Sequence, residues 1–291
     1  MMTERTRWIE HMMIDQNKLD RLHAGLTALG SVAVAFSAGT DSTLLLAVAL
    51  QALGPERVLA ITADSPTLPR SELAEAESLA SELGARHRII ATEELGDPDF
   101  AQNPPDRCYY CKRELFGRMR ALADAEGYAH LAYGATADDM GDYRPGMDAA
   151  REAGAVAPLL DAGLTKQDVR ELSLQLGLRT WDKPAMACLS SRFPYGTPIQ
   201  AEGLARVEQA EDFLRRELGL RQVRVRDGEQ TARIEVPLAD LPRLIEEDVR
   251  VAIIARLKAL GYTFVSLNLE GLRSGSLNDA LAPGVAQRGA G

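Results

Sequence analysis

A short apolar run, Ser31 to Phe36 (SVAVAF), passes directly into the polar turn Ser37-Ala38-Gly39-Thr40-Asp41-Ser42 and then into an apolar helical stretch closed by Gly54-Pro55. A run of small and β-branched residues without alternation is the pattern of a strand buried on both faces, which belongs in a parallel sheet. The turn has the composition of an anion site. Gly39 allows close backbone approach, successive N–H groups form a nest, and the helix that follows points its positive end at the same place. Ser37, Ser42 and Thr43 add hydroxyl donors. Asp41 repels an anion, so its presence points to an intervening Mg²⁺ ion or a positioning hydrogen bond.

The same alternation continues along the chain. Leu19, Leu22, Leu26 and Leu29 form a helical stripe over 15–29. Further helices are predicted over 41–53, 71–83, 110–126 and 165–176, and strands over 58–62, 86–90 and 129–133. Thr165 with Asp168 has the spacing of a capping box. Strand and helix alternate from about 30 to 180, which predicts an α/β fold with a parallel, doubly wound sheet. Ligand loops in such sheets lie at the carboxyl ends of the strands, so 37–43, 63–70 and 134–148 are expected to share one cleft. After residue 184 the pattern changes. A turn-rich segment, a charged helix over 201–218, strands at 223–226 and 232–236 around Asp227-Gly228, a mostly helical stretch over 238–261 and a strand at 263–267 predict a smaller α+β domain. The expected division is 1–184, 185–277 and a flexible Ala/Gly/Pro-rich tail, 278–291.

Composition narrows the function. The chain has 291 residues, 46% of them hydrophobic, enough for more than one core. A net charge of -9 argues against nucleic acid as a partner. No apolar run reaches the length of a membrane span. Residues 1–18 lack an apolar core and carry acidic residues, so a cytoplasmic protein is expected. The three cysteines, Cys108, Cys111 and Cys188, do not make a disulfide framework. Structural zinc wants four ligands. Three thiolates suit a [4Fe-4S] cluster with one iron left open; catalysis and plain packing are the other roles open to them.

The turn lacks the Gly-Lys-Ser/Thr ending of a Walker A loop. It resembles instead the PP-loop, S-G-G-x-D-S, of the N-type ATP pyrophosphatases, which split ATP between the α- and β-phosphates and adenylate a substrate oxygen. Ala38 stands where the first of the two glycines is usual, and an alanine with negative φ would serve there. Three further stretches, NPPDRCYYCKRELF (103–116), GATADDMGDYRPG (134–146) and KPAMACLSSRFPYG (183–196), are followed by RVRDGEQTARIEV (224–236). Together with the PP-loop they resemble the LarE family over about residues 15–270.

The resemblance implies an ATP-dependent sulfurtransferase of nickel-pincer nucleotide cofactor biosynthesis. Its substrate is pyridinium-3,5-biscarboxylic acid mononucleotide. One carboxylate is adenylated, pyrophosphate leaves, and sulfur then replaces AMP to give a thiocarboxylate. Carried onto this sequence, Ser37, Gly39, Asp41, Ser42, Thr43 and Gly134 bind ATP, and Asp41 and Cys188 are catalytic. Cys108, Cys111 and Cys188 hold the cluster. Asp138, with Asp139 and Asp142 in the same acidic loop, faces Mg²⁺. Arg192, Arg224, Arg226 and Lys112 bind substrate. Arg224 and Arg226 share one strand face, two residues apart; the plain alternative for each arginine, for Lys112 and for the acidic loop is a solvated charge. Members with a lone cysteine at the position of Cys188 give up its own sulfur; this chain has the CxxC pair and is read as the cluster-dependent form. The resemblance also implies a homo-oligomer, trimer or hexamer. Two other functions fit the PP-loop: a tRNA thiolase or other adenylating synthetase, which the acidic charge opposes, and a nucleotide-binding module without chemistry, which leaves the cysteines and arginines idle.

Overall fold

The computed structural model describes residues 16–141, 145–273 and 275–281. Four parallel strands, β1 (Val32–Ala35), β2 (Val58–Asp64), β3 (Arg86–Ala91) and β4 (His130–Ala132), form one sheet in the order β3-β2-β1-β4. The register pairs Val32 with both Val58 and His130, and Leu59 with Arg86.

Neighbouring residues of β1 point to opposite faces, and both faces are covered. Val32 and Val34 join Val58 and Ala60 on one face. That face packs on helices α1 (Gln16–Leu29), α2 (Thr40–Leu53) and α3 (Arg70–Glu82) through Leu22, Leu26, Leu45 and Leu79. Ala33, Leu59, Ile61 and Leu131 face the other way, onto Leu115, Phe116 and Met119 of helix α4 (Arg107–Ala125). A short helix α5 (Pro145–Glu152) adds Ala150 to that second layer, while helix α6 (Lys166–Gln175) adds Val169 and Leu172 to the first. Burial on both sides is why the strands read as unbroken apolar runs.

A second, mixed sheet has the order β5-β6-β7: β5 (Arg224–Gly228) is antiparallel to β6 (Thr231–Glu235), and β7 (Phe264–Leu267) is parallel to β6. Val225, Ala232 and Ile234 pack on Ala210 and Leu214 of helix α7 (Ala201–Arg216) and on Ile253 and Leu257 of helix α8 (Glu247–Ala259).

The chain divides into two compact units. The first comprises 1–64, 70–92 and 112–185; the second comprises 65–69, 93–111 and 186–291. A change near residue 185 is therefore accompanied by two earlier excursions, after β2 and after β3, that count with the second unit. Several local expectations shift. Helix α4 begins at Arg107, so Cys108 and Cys111 are its second and fifth residues. The β5–β6 turn is centred on Glu229-Gln230 rather than Asp227-Gly228, with Glu229 at φ 62°. The stretch 238–261 breaks into a turn at Leu238–Asp240, one helical turn at Leu241–Leu244 and α8. In the expected tail, Ser276–Ala280 forms a 3-10 turn; residues 282–291 lie outside the described part. No helix among the described residues is long and apolar enough to cross a membrane.

Candidate active site

In the first sheet the strand order reverses direction between β1 and β4, the place where open α/β sheets bind ligands. The phosphate-loop candidate leaves β1 there. Phe36 is fixed before it: its N–H donates to Ile61 O (2.8 Å), and its carbonyl accepts from Thr62 Oγ1 (2.7 Å), which in turn meets His87 Nε2 at 2.8 Å. Gly39 is the N-cap of α2, with φ -77°. Ser37 and Ser42 hydroxyls lie 3.1 Å apart, and Ser42 Oγ also donates to Gly39 O at 3.2 Å. Gly134, leaving β4, abuts this turn: a Cβ there would stand 3.0 Å from Ser42 N and 3.1 Å from Asp41 C. A Cβ there would push the two loops apart by a few tenths of an ångström.

Two expectations are corrected. Ala38 does not take a negative φ; it sits at 55°, fully buried. The left-handed conformation that costs an L-residue about 1–2 kcal/mol thus falls on the alanine, not on Gly39, where a Cβ would make only an ordinary 3.4 Å contact with Ser37 Oγ. Thr43 does not offer its hydroxyl to the loop's exterior: the residue is 0% exposed and Oγ1 has no hydrogen-bond partner among the described residues.

Charge gathers at the same place. Lys166 Nζ bonds Asp41 Oδ2 and reaches Asp139 Oδ2 at 3.2 Å. Asp139 is buried and held by the N–H of Thr136 (2.8 Å) and its hydroxyl (3.1 Å). Asp138 is exposed, and one of its oxygens accepts from Lys166 N at 2.6 Å. Lys166 opens α6, whose Thr165–Asp168 capping box is present as the sequence predicts. Asp168 is in turn bonded by Lys18 Nζ at 2.6 Å. Lys183 Nζ donates to Ala38 O (3.1 Å) and pairs with Glu72 (2.7 Å). The residue-by-residue reading missed Lys166 and Lys183 as site residues. The signals were there: the capping box puts Lys166 at the first helical position, and Lys183 opens the third quoted stretch. Of the expected cleft loops, 37–41 and 134–139 meet; Asp142 lies outside the described residues.

The second unit holds the three cysteines. Cys188 is exposed and precedes the 3-10 turn Leu189–Arg192. Its carbonyl accepts from Ser191 N (3.0 Å), Ser191 Oγ (2.8 Å) and Arg192 Nη1 (3.2 Å), and the next N–H, of Leu189, donates to Thr67 O at 2.8 Å. Cys108 is exposed; Cys111 is half-buried against the cluster of Phe100, Leu189 and Phe193. Burial pushes the Tyr195 hydroxyl up; Arg107, 4.9 Å over its ring, opposes this, and the charges of Cys108 and Cys188 both add to it. In number and softness the three thiols suit iron, while among the described residues no group of three or more His, Cys, Asp or Glu side chains is arranged to hold a metal.

The arginines differ sharply from one another. Arg192 is 1% exposed and lies in a two-pronged pair with Glu211, 0% exposed, at 2.7 and 2.9 Å. Its remaining nitrogen binds Ala187 O, Cys188 O and Ser191 Oγ, so the whole guanidinium is spent on the protein. Burial pushes the Glu211 carboxyl up, and Arg192, Arg215 and the Val225 N–H more than reverse this, leaving it below its ordinary range. Arg226 is likewise buried, on Glu235 (2.8 Å), Ser191 O and Ser276 Oγ. Arg224, half-buried, has one bond, to Arg273 O at 3.2 Å, and no carboxylate partner among the described residues. Burial lowers its pKa, and the charges of Arg226 and Arg192 lower it further. An arginine so placed calls for an anion. Lys112 is exposed on α4.

No protein-family model matches the chain. An uncharacterized protein of Synechocystis is 42% identical over 266 residues, 91% of this chain and 98% of its own. The pyridinium-3,5-bisthiocarboxylic acid mononucleotide synthase of Lactiplantibacillus plantarum is 42% identical over 260 residues, 89% of this chain and 93% of its own. An NH(3)-dependent NAD(+) synthetase of Chlorobaculum tepidum is 34% identical over 93 residues, 32% of this chain and 33% of its own.

Proposed function

The chain belongs to the LarE family, and on that premise we propose that it is an ATP-dependent sulfurtransferase that converts a carboxylate of pyridinium-3,5-biscarboxylic acid mononucleotide into a thiocarboxylate. The observation that carries this is the 42% identity to the Lactiplantibacillus plantarum synthase over 89% of the chain. The fold is that of the PP-loop α/β enzymes.

The chemistry follows from the weakness of a carboxylate as electrophile. Its carbon is shielded by resonance, and its leaving group would be oxide. Attack of a carboxylate oxygen on the α-phosphorus of ATP expels pyrophosphate and leaves an acyl-adenylate. Sulfur then attacks the acyl carbon and AMP departs with the electron pair. In the first unit, the N–H groups of the turn and the positive end of α2 suit the phosphates. Lys166 supplies a cation beside them, and Asp41 and Asp139 are the carboxylates suited to Mg²⁺, which neutralises phosphate charge when bound. Asp138, with one oxygen on Lys166 N, is a weaker candidate.

In the second unit, Cys188 is exposed on a turn whose carbonyl is fixed by Arg192 and Ser191, which supports a role for it in the sulfur-transfer step. Arg192 and Arg226 act by holding that turn; Arg224 is the arginine best suited to the substrate's phosphate or carboxylate, with Lys112 as a second, exposed cation. Cys108, Cys111 and Cys188 would hold a [4Fe-4S] cluster, which would supply a means of delivering inorganic sulfide to the acyl-adenylate. The protein is read as cytoplasmic and homo-oligomeric, trimer or hexamer; exposed apolar side chains such as Ile245, Phe264 and Leu269 support self-association.

Incubation with ATP and the pyridinium substrate is expected to release pyrophosphate and AMP and to form the thiocarboxylate; ATP binding without turnover would refute the reading. Anaerobic reconstitution with iron and sulfide, followed by intact mass, tests the sulfur source. A bound cluster and unchanged mass are expected, whereas a loss of about 34 Da, one H₂S, means that Cys188 is consumed.

A further inference from the structure

The segment 179–183 is stitched to the phosphate loop and to α3. Thr40 Oγ1 donates to Thr180 O (2.9 Å) and Lys183 O (3.5 Å), and Lys183 Nζ donates to Ala38 O (3.1 Å). Lys183 is anchored by Glu72 in the first turn of α3 at 2.7 Å, with side chains only 16% and 13% exposed. Arg179 adds bonds to Glu82 (2.9 Å) and Ser78 (3.2 Å) on the same helix. The residue whose carbonyl Lys183 holds is the buried alanine in the left-handed region. Across a planar trans peptide, a carbonyl and the N–H that follows it point in opposite directions. Fixing Ala38 O therefore fixes the direction of the Gly39 N–H.

We propose that Lys183 is a positioning residue for the phosphate loop: anchored by Glu72, it holds Ala38 in its left-handed conformation and so aims the Gly39 N–H at the phosphates. This rests on the loop being an ATP site. Glycine adopts the left-handed region without a steric cost, so a glycine at position 38 has less need of the clamp. A group that touched the nucleotide directly would not be replaced in this way.

The test is a double-mutant cycle on the full chain, with ATP·Mg²⁺ affinity read by calorimetry. Lys183→Met is expected to weaken binding about tenfold, the loss of a charge-assisted bond. Ala38→Gly in that background is expected to restore most of the affinity, and Ala38→Gly alone to bind ATP more tightly than the unsubstituted chain. Glu72→Gln, which loosens the anchor but leaves a neutral polar side chain, is expected to act in the same direction, about threefold, and to be rescued likewise. Unchanged affinity in Lys183→Met, or a double variant as weak as Lys183→Met, overturns the proposal. Hydrogen exchange of the amides of 37–43 in the ligand-free protein reads the clamp without ATP. Faster exchange in Lys183→Met supports it, and unchanged exchange overturns it. Failure of the unsubstituted chain to bind ATP would instead count against the functional reading.

Discussion

The two units handle charge in opposite ways. Around the phosphate loop the cations are lysines, and the pair that faces solvent most is Lys166, 39% exposed, with Asp41, 29% exposed. Around Cys188 they are arginines sunk onto carboxylates with almost no exposure, Glu211 and Glu235. A lysine ammonium is a mobile point charge, whereas a guanidinium fork locks planar pairs. The first arrangement leaves Lys166 able to change partner when an anionic ligand arrives, while Lys183 stays on Glu72 and Ala38 O. The second spends Arg192 and Arg226 on holding a turn still, and Arg224 has no carboxylate partner among the described residues.

Substitutions on the two sides should therefore fail differently. The largest effect is expected from Cys188→Ala: thiocarboxylate formation falls more than about a thousandfold, while the melting temperature hardly moves because the side chain is exposed. Product quantified by mass spectrometry checks this, and persistent product would remove sulfur chemistry from the second unit. Glu211→Ala is next. It strands Arg192 in the interior and should cost about 3–5 kcal/mol in urea unfolding. A loss under about 1 kcal/mol would mean that the buried fork is no tighter than the lysine pairs. Lys166→Met should do the reverse, leaving stability within about 1 kcal/mol and raising KM for ATP about tenfold or more.

The smallest effect is in acid. The Glu211 carboxyl is held below its ordinary range in the folded state, so its stabilising contribution is complete above the ordinary glutamate pKa of about 4.3. That contribution is lost as pH falls through the lowered value. Urea midpoints between pH 6 and 3 should fall less steeply in Glu211→Gln than in the unsubstituted chain. Equal slopes would show that the pair does not set the acid limb.

The sequence carried the first unit's architecture because its strands are buried on both faces and its helices are closed by local signals, such as Gly54 after α2 and the Thr165–Asp168 box. The same reading missed what depends on distance along the chain. Lys183 lies 145 residues from the carbonyl it binds, and Lys166 lies 125 from Asp41. No periodicity reports such pairs. Arg192 was expected among the substrate-binding residues, and its burial depends on Glu211, 19 residues away on α7. Both residue types were visible, but their pairing was not. The left-handed Ala38 was hidden for another reason: the loop's neighbours over-determine a conformation that alanine by itself disfavours.

The two excursions of the chain, 65–69 and 93–111, also bear on how this protein can be taken apart. A cut at residue 185 looks like a domain boundary, yet the C-terminal fragment would keep Cys188 and lose Cys108 and Cys111. It would also lose Phe100, which packs with Leu189 and Phe193 in the cluster beneath the Cys188 turn. The N-terminal fragment would be left with the loop 93–111, whose Leu95 and Phe100 would lose Leu189 and Phe193 as neighbours. For gene dissection, split-protein complementation or exchange of parts with relatives, the exchangeable piece is thus not a contiguous half. It is the C-terminal segment together with both loops, moved as a set.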